Sequence, residues 1–168
     1  MNFKLQYGED FDENYLKRIM EIDEIVYAED GYVGELKNMV ARYLVDPRQF
    51  VCIEDTESGR LAGYINFIPC TKALYEDIRY QSEHIRDDDI RPQELEPLKQ
   101  TGNDLFIISI ALHPDFKDTD AIKDLSNGWI DYLNRLETSG YPITSITATA
   151  VSPDGRKALH LSLIHISE

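Results

Sequence analysis

The sequence contains few of the residues that build disulfide frameworks or metal sites. Among 168 residues there are two cysteines and four histidines. Cys52 and Cys70 are too few for a disulfide scaffold, and neither has the neighbours of a metal-ligand motif. We therefore expect reduced cytoplasmic thiols and no metal.

Basic residues are scarce too, since 17 lysines and arginines stand against 31 aspartates and glutamates, a net charge of −14. Nucleic acids and anionic membranes need positive surface, so we expect neither as a partner. Solubility is the simplest interpretation of this charge. The alternative is that the negative charge attracts a cationic acceptor molecule.

Long apolar runs are also missing, because no stretch approaches the length of a signal peptide or a spanning helix. This predicts a soluble, cytoplasmic protein. The chain does have the apolar content of an ordinary globular protein, 42% hydrophobic and 10% aromatic. Its length suits one domain with a substantial core.

The most informative stretch begins with residues 105–112, which are almost wholly apolar and rich in β-branched side chains. This pattern indicates a strand buried on both faces. Pro114 cannot donate to a sheet, so the strand should end at His113.

A helix should follow, since apolar residues recur at three- and four-residue steps from Ala121 to Leu136. We expect Thr119 or Asp118 to cap it. Unpaired amides and the positive end of the helix dipole converge at such a junction, which can therefore bind an anion.

Residues 108–117, Ile-Ser-Ile-Ala-Leu-His-Pro-Asp-Phe-Lys, and the helix after them resemble the acyl-CoA-binding segment of the GCN5-related N-acetyltransferase (GNAT) superfamily. The residues that fit its pattern are Leu112, His113, Pro114, Phe116 and Lys117. The chain departs from the family at Asp120-Ala121-Ile122, where a pyrophosphate loop usually has glycines that let the backbone approach a phosphate.

The resemblance implies a GNAT-like α/β domain over residues 1–160, with a mixed, mostly antiparallel sheet flanked by helices and without the family's last strands. It implies N-acyl transfer from acetyl-CoA, as co-substrate, to a primary amine of a small molecule or a protein. It assigns no general acid or base. The cofactor-binding residues that it implies are Ile110, Ala111, Leu112, Lys117, Asp118, Thr119, Asp120, Ala121 and Ile122.

Apolar and polar residues alternate in a first strand at 1–7, and the order of the elements after it implies where the acceptor amine would bind. Helices are predicted at 14–28 and 35–44, the order found at the superfamily's acceptor site. The substrate-binding residues would then be Tyr27, Asp30 and Tyr32. The alternative is that these three only shape the turn between the helices.

Residues 50–54 and 61–68 surround a glycine-containing turn and predict an antiparallel hairpin. Residues 70–104 are then an insertion, with short helices predicted at 73–81 and 92–99. Its run Asp87-Asp88-Asp89 is expected to be solvated. Clamping an amine or a hard cation is the alternative.

The C-terminal part should add a strand at 143–151, parallel to 105–112 because a crossover helix joins them. A further helix is predicted at 152–160.

Residues 161–168, LSLIHISE, match the translation of a transposase adapter used in sequencing libraries. We expect the native protein to differ after His160.

Two other functions stay open. A catalytically inactive GNAT-like module could bind a basic protein partner through its acidic surface, which Asp120 and Ile122 in place of glycines favour. A small oligomeric structural domain is the other alternative. The sequence leaves a homodimer open and does not identify the acceptor.

Overall fold

The computed structural model describes residues 1–31, 33–80 and 87–148. The predictions for Tyr32, for the side chains of Asp30 and Asp87, and for residues 149–168 lie outside the described part.

Among the residues described, five strands form one sheet in chain order: Phe3–Tyr7 (β1), Phe50–Asp55 (β2), Leu61–Pro69 (β3), Asn103–Leu112 (β4) and Ile143–Ala148 (β5). Strands β1 to β4 pair antiparallel, whereas β4 and β5 are parallel. The prediction of a mixed, mostly antiparallel sheet is confirmed.

In the described part of the chain, four α-helices accompany the sheet: Glu13–Tyr27 (α1), Leu36–Tyr43 (α2), Lys72–Tyr80 (α3) and Ala121–Thr138 (α4). Helix α1 begins after Asp12, whose carboxylate accepts a hydrogen bond from the Tyr15 amide at 2.8 Å. Helix α4 connects β4 to β5, and such a crossover makes two neighbouring strands parallel.

The strand period of two separates the core into two layers. Val51 and Ile53 of β2 pack with α4, where Trp129 is fully buried. Phe50 and Cys52, which alternate with them, pack with α1 and α2 on the other face. Both faces of β2 and β3 are therefore covered, as their nearly continuous apolar sequences require.

The insertion between β3 and β4 packs through α3, with Leu74 and Ile78 buried against Phe106. The helix predicted at 92–99 is wrong beyond its first turn. A 3₁₀ turn at Pro92–Glu94 leads into extended backbone, because Leu95 forms a β-bridge with Cys70.

The acidic run of the insertion is not simply solvated. The Asp88 carboxylate accepts a hydrogen bond from the Glu35 amide at 3.2 Å, at the N-terminus of α2. It also lies 3.9 Å from the guanidinium of Arg42, a buried residue. The insertion thus contacts the segment that joins α1 to α2.

Candidate functional site

The end of β4 turns sharply into α4. The His113 amide donates to the Ala62 carbonyl at 2.8 Å, which extends the pairing with β3, and Pro114–Phe116 then forms a 3₁₀ turn. The Asp115 amide donates to Nδ1 of His113 at 3.1 Å. His113 therefore stabilises the turn. Phe116 is buried, with the Arg60 guanidinium 5.3 Å from its ring centre.

The amides between this turn and α4 fall into two groups. Lys117 donates to the Pro114 carbonyl and Thr119 to the Phe116 carbonyl, both at 3.2 Å. The Ala121 amide donates to Oγ1 of Thr119, also at 3.2 Å. Thr119 thus provides the capping oxygen, although Asp120 occupies the N-cap position.

The second group comprises the amides of Asp118, Asp120 and Ile122, for which no acceptor is found among the described residues. They stand at the N-terminus of an 18-residue helix. Their partial positive charge and the helix dipole attract anions. The exposed carboxylates of Asp118 and Asp120 oppose this attraction.

Strand β4 has a neighbour on each side. On one side it pairs with β3 as far as Leu112, opposite Gly63. On the other side the described pairing with β5 runs to Ile107, opposite Ala148. The residues that follow Ala148 lie outside the described part of the chain. The Tyr27 hydroxyl donates to the Ile110 carbonyl at 2.7 Å.

A buried polar network lies behind this edge, between α1 and the sheet. Tyr64 of β3 donates a hydrogen bond to the carboxylate of Asp23, which is 5% exposed. The Tyr64 hydroxyl oxygen lies 2.9 Å from Oγ of Ser109, which in turn lies 3.3 Å from the Tyr27 hydroxyl. Burial, and then the charge of Asp23, raises the pKa of Tyr64, so this hydroxyl stays protonated.

Sequence reasoning missed this network, although one signal was present. Asp23 lies seven residues after Leu16 and four after Ile19, so it occupies the apolar face of α1. A carboxylate on that face must be paired once it is buried.

A second carboxylate is also partnered. Glu54 accepts a hydrogen bond from the Tyr15 hydroxyl at 2.7 Å and forms an ion pair with Arg18 at 3.1 Å. The Glu54 side chain is 17% exposed. Burial is the main cause that raises the pKa of Tyr15.

Two features were sought in the described ranges and not found. No cluster of three or more histidine, cysteine, aspartate or glutamate residues there could hold a metal ion. None of the helices in this part of the chain is long and apolar enough to cross a membrane.

Comparison with known proteins gives structural neighbours only. No protein-family profile matches the chain, and no curated protein matches its sequence. Many solved structures are similar, among them three with TM-scores of 0.56 to 0.60. The loading GNATL domain of CurA from Lyngbya majuscula superposes with a TM-score of 0.60 at 10% identity, covering 92% of this chain and 69% of that one.

Mosquito arylalkylamine N-acetyltransferase like 5b gives a TM-score of 0.59 at 15% identity, covering 95% of this chain and 82% of the other. The ribosomal-protein-S18-alanine N-acetyltransferase from Escherichia coli gives 0.56 at 13% identity, covering 96% and 76%. At such identities the likeness establishes the fold.

Proposed function

Because the chain has the fold of the GNAT superfamily, we propose that it transfers an acyl group from acyl-CoA to a primary amine. The observation that carries this proposal is the set of amides at Asp118, Asp120 and Ile122, which have no acceptor among the described residues and stand at the N-terminus of α4. The backbone of Ile110–Leu112 would hold the pantetheine arm along the edge of β4. A pantetheine arm contains amide groups. It can therefore hydrogen-bond to such an edge as a neighbouring strand would.

The pyrophosphate of acetyl-CoA would lie where β4 leads into α4. Of the predicted cradle 117–122, the amides of Asp118, Asp120 and Ile122 are the ones that have no acceptor among the described residues. These amides would bind the phosphate oxygens, with the exposed Lys117 and Lys123 nearby in sequence. Glycines are not needed for this, although their absence restricts close approach.

The acceptor would enter from the side of α1. Tyr27 contacts the Ile110 carbonyl, so it reaches the edge proposed for pantetheine. A protonated amine suits a chain with a net charge of −14. The acceptor class stays broad: a small molecule or a protein amine. Asp30 and Tyr32 remain predicted members of the same site.

The reaction needs three things from the protein. A backbone N–H at the β4 edge would stabilise the negative charge that develops on the thioester oxygen. The ammonium must lose a proton before its nitrogen can attack. The departing thiolate must gain one. Acetyl-CoA supplies the acyl group when bound.

Isothermal titration of acetyl-CoA into the full-length chain tests the proposal. We expect saturable binding with one site per chain, together with thiol release when a primary amine is added. Absence of any binding heat would contradict the proposal.

An inactive module that binds a basic partner is the second candidate, favoured by the exposed carboxylates of Asp118 and Asp120 at the cradle. The double variant Asp120→Gly with Ile122→Gly separates the two functions. If acetyl-CoA binds only to this variant, the natural chain is not a transferase. If both proteins bind it, the transferase proposal stands.

A further inference from the structure

We propose that Asp23 is the proton acceptor for the incoming amine and that Tyr27, Ser109 and Tyr64 conduct the proton to it. This inference rests on the transferase function proposed above. It assigns the general base that the sequence did not reveal, and it places that base inside the protein.

The geometry supplies a continuous path. It begins at the Tyr27 hydroxyl, which is half-buried at the end of α1 and contacts the Ile110 carbonyl at 2.7 Å. Ser109 Oγ lies 3.3 Å from that hydroxyl and 2.9 Å from the hydroxyl oxygen of Tyr64. Tyr64 donates to Asp23. Three hydroxyl groups thus connect the β4 edge to a carboxylate.

Hydroxyl groups are suited to this task because each can accept one proton and donate another. At rest the Tyr27 hydroxyl donates to the Ile110 carbonyl and Ser109 donates to Tyr27, so the hydroxyl hydrogens must first rotate toward Asp23. The amine then gives a proton to Tyr27, and Tyr27 gives its own to Ser109. Ser109 gives its own to Tyr64, and Tyr64 protonates Asp23. The amine thereby loses one proton and Asp23 gains one, while the three hydroxyl groups end with the number of protons they had.

The neutral amine nitrogen then forms a bond to the thioester carbonyl carbon, and the carbon–sulfur bond breaks. The nitrogen loses a second proton, which ends on the leaving sulfur. The proton held by Asp23 returns along the path to solvent. The overall reaction therefore yields an amide, a free thiol and one released proton.

The position of Asp23 suits this role. Because its carboxylate is only 5% exposed, an amine at the strand edge reaches it through hydroxyl groups rather than directly. Tyr64 provides the bond to that carboxylate. The additional hydroxyl groups of Ser109 and Tyr27 lead from that bond to the strand edge.

The test measures kcat for thiol release from acetyl-CoA with propylamine near neutral pH, where an alkylamine is protonated. For Ser109→Ala and Asp23→Asn we expect kcat to fall by about 100-fold or more. The acetyl-CoA affinity measured by calorimetry should stay within about 2-fold, a change well under 1 kcal/mol. Ser109→Thr, which returns a hydroxyl group, should recover at least about 10-fold over Ser109→Ala.

Tyr15→Phe is the matched control for Tyr64→Phe, since each removes a tyrosine hydroxyl bonded to a carboxylate. Only the second should lower kcat. Thermal unfolding verifies that each variant is folded. The loss of kcat in Ser109→Ala should be smaller at alkaline pH, because an amine that is already neutral has no proton to lose before it attacks.

The outcomes separate the two proposals. A wild-type chain that binds no acetyl-CoA overturns both. A chain that binds it and releases thiol equally well with and without the Ser109 hydroxyl overturns the proton path alone. Binding without thiol release in the presence of propylamine also overturns the path, since no proton is then accepted from the amine.

Discussion

The Tyr27 hydroxyl donates a hydrogen bond to the Ile110 carbonyl across 2.7 Å. This contact joins the last residue of α1 to the Ile110–Leu112 segment of β4, which is proposed to hold the pantetheine arm. The helix therefore fixes the strand edge on which the proposed function depends.

Removing this hydroxyl in Tyr27→Phe should lower the free energy of unfolding by about 1 kcal/mol, the usual net value of one hydrogen bond. Urea denaturation measures the change. Tyr80→Phe is the control, because Tyr80 is 73% exposed, and it should change stability by less than about 0.5 kcal/mol. Equal effects of the two substitutions would contradict the structural role of the Tyr27 contact.

The amide of Ile122 can be tested without changing the charge of the junction. Ile122→Pro removes this amide, and proline is tolerated in the first turn of a helix. Ile122→Ala removes a comparable part of the side chain and keeps the amide. Titration calorimetry should show acetyl-CoA affinity about 10-fold weaker in the proline variant than in the alanine variant, since a hydrogen bond to a charged group contributes about 1.5–3 kcal/mol. Similar affinities would exclude this amide from the cradle.

The carboxylate of Asp46 links the segment between α2 and β2 to the insertion. It accepts hydrogen bonds from the Arg48 side chain at 2.7 and 2.9 Å and from the Leu98 amide at 3.0 Å. Burial alone would raise the pKa of Asp46, but these hydrogen bonds outweigh it and lower the pKa. Its contribution to stability is therefore complete above about pH 4 and is lost as the pH falls through the lowered value.

Asp46→Asn should lower the free energy of unfolding at neutral pH by about 2–3 kcal/mol, near the lower end for breaking a buried ion pair because Arg48 is partly exposed. The loss of stability between neutral and acidic pH should become smaller. Urea unfolding across this range measures both effects. Asp115→Asn, in the exposed pair with Arg60, should change stability and its dependence on pH much less. If the stability of Asp46→Asn falls with pH as steeply as that of the wild type, Asp46 does not have this role.

Both cysteine thiols are free and buried. Burial raises the pKa of Cys52 well above its ordinary value, and burial with the charges of Asp104 and Glu96 raises that of Cys70 to about 12. Since the thiolate is the reactive form, Ellman's reagent at mildly alkaline pH should modify neither thiol in the folded chain. Both should react in urea. Rapid modification of the native protein would show that one of the two buried thiols becomes accessible to the reagent.

The sequence predicts most of the sheet because each strand has a local signal. The apolar run at 105–112 and the hairpin around Gly59 both form the expected strands, and the proline after β4 ends it as predicted. Strand β4 begins earlier, at Asn103. The side chain of this residue is bonded to the backbone of Lys99 and Pro142, a long-range arrangement that composition does not reveal.

The candidate site was less predictable because its parts come from different elements. Tyr27 was expected at the acceptor side on the strength of a resemblance. Asp23 and Tyr64 were overlooked. In the sequence, Asp23 is an ordinary polar residue of an amphipathic helix, and Tyr64 is an ordinary aromatic residue of a strand. Only the packing of α1 on β3 and β4 brings their side chains together.

The contact between Asp88 and the Glu35 amide has a consequence for related chains. A Cβ atom at Gly34 would lie 2.6 Å from Oδ1 of Asp88, so a larger residue at position 34 would push this carboxylate away from the Glu35 amide. Homologues that lack the 70–104 segment are released from this constraint and should accept side chains at position 34. Those that retain the segment should covary at the two positions, and a graft of it into another member would keep this contact best with a glycine at the equivalent position.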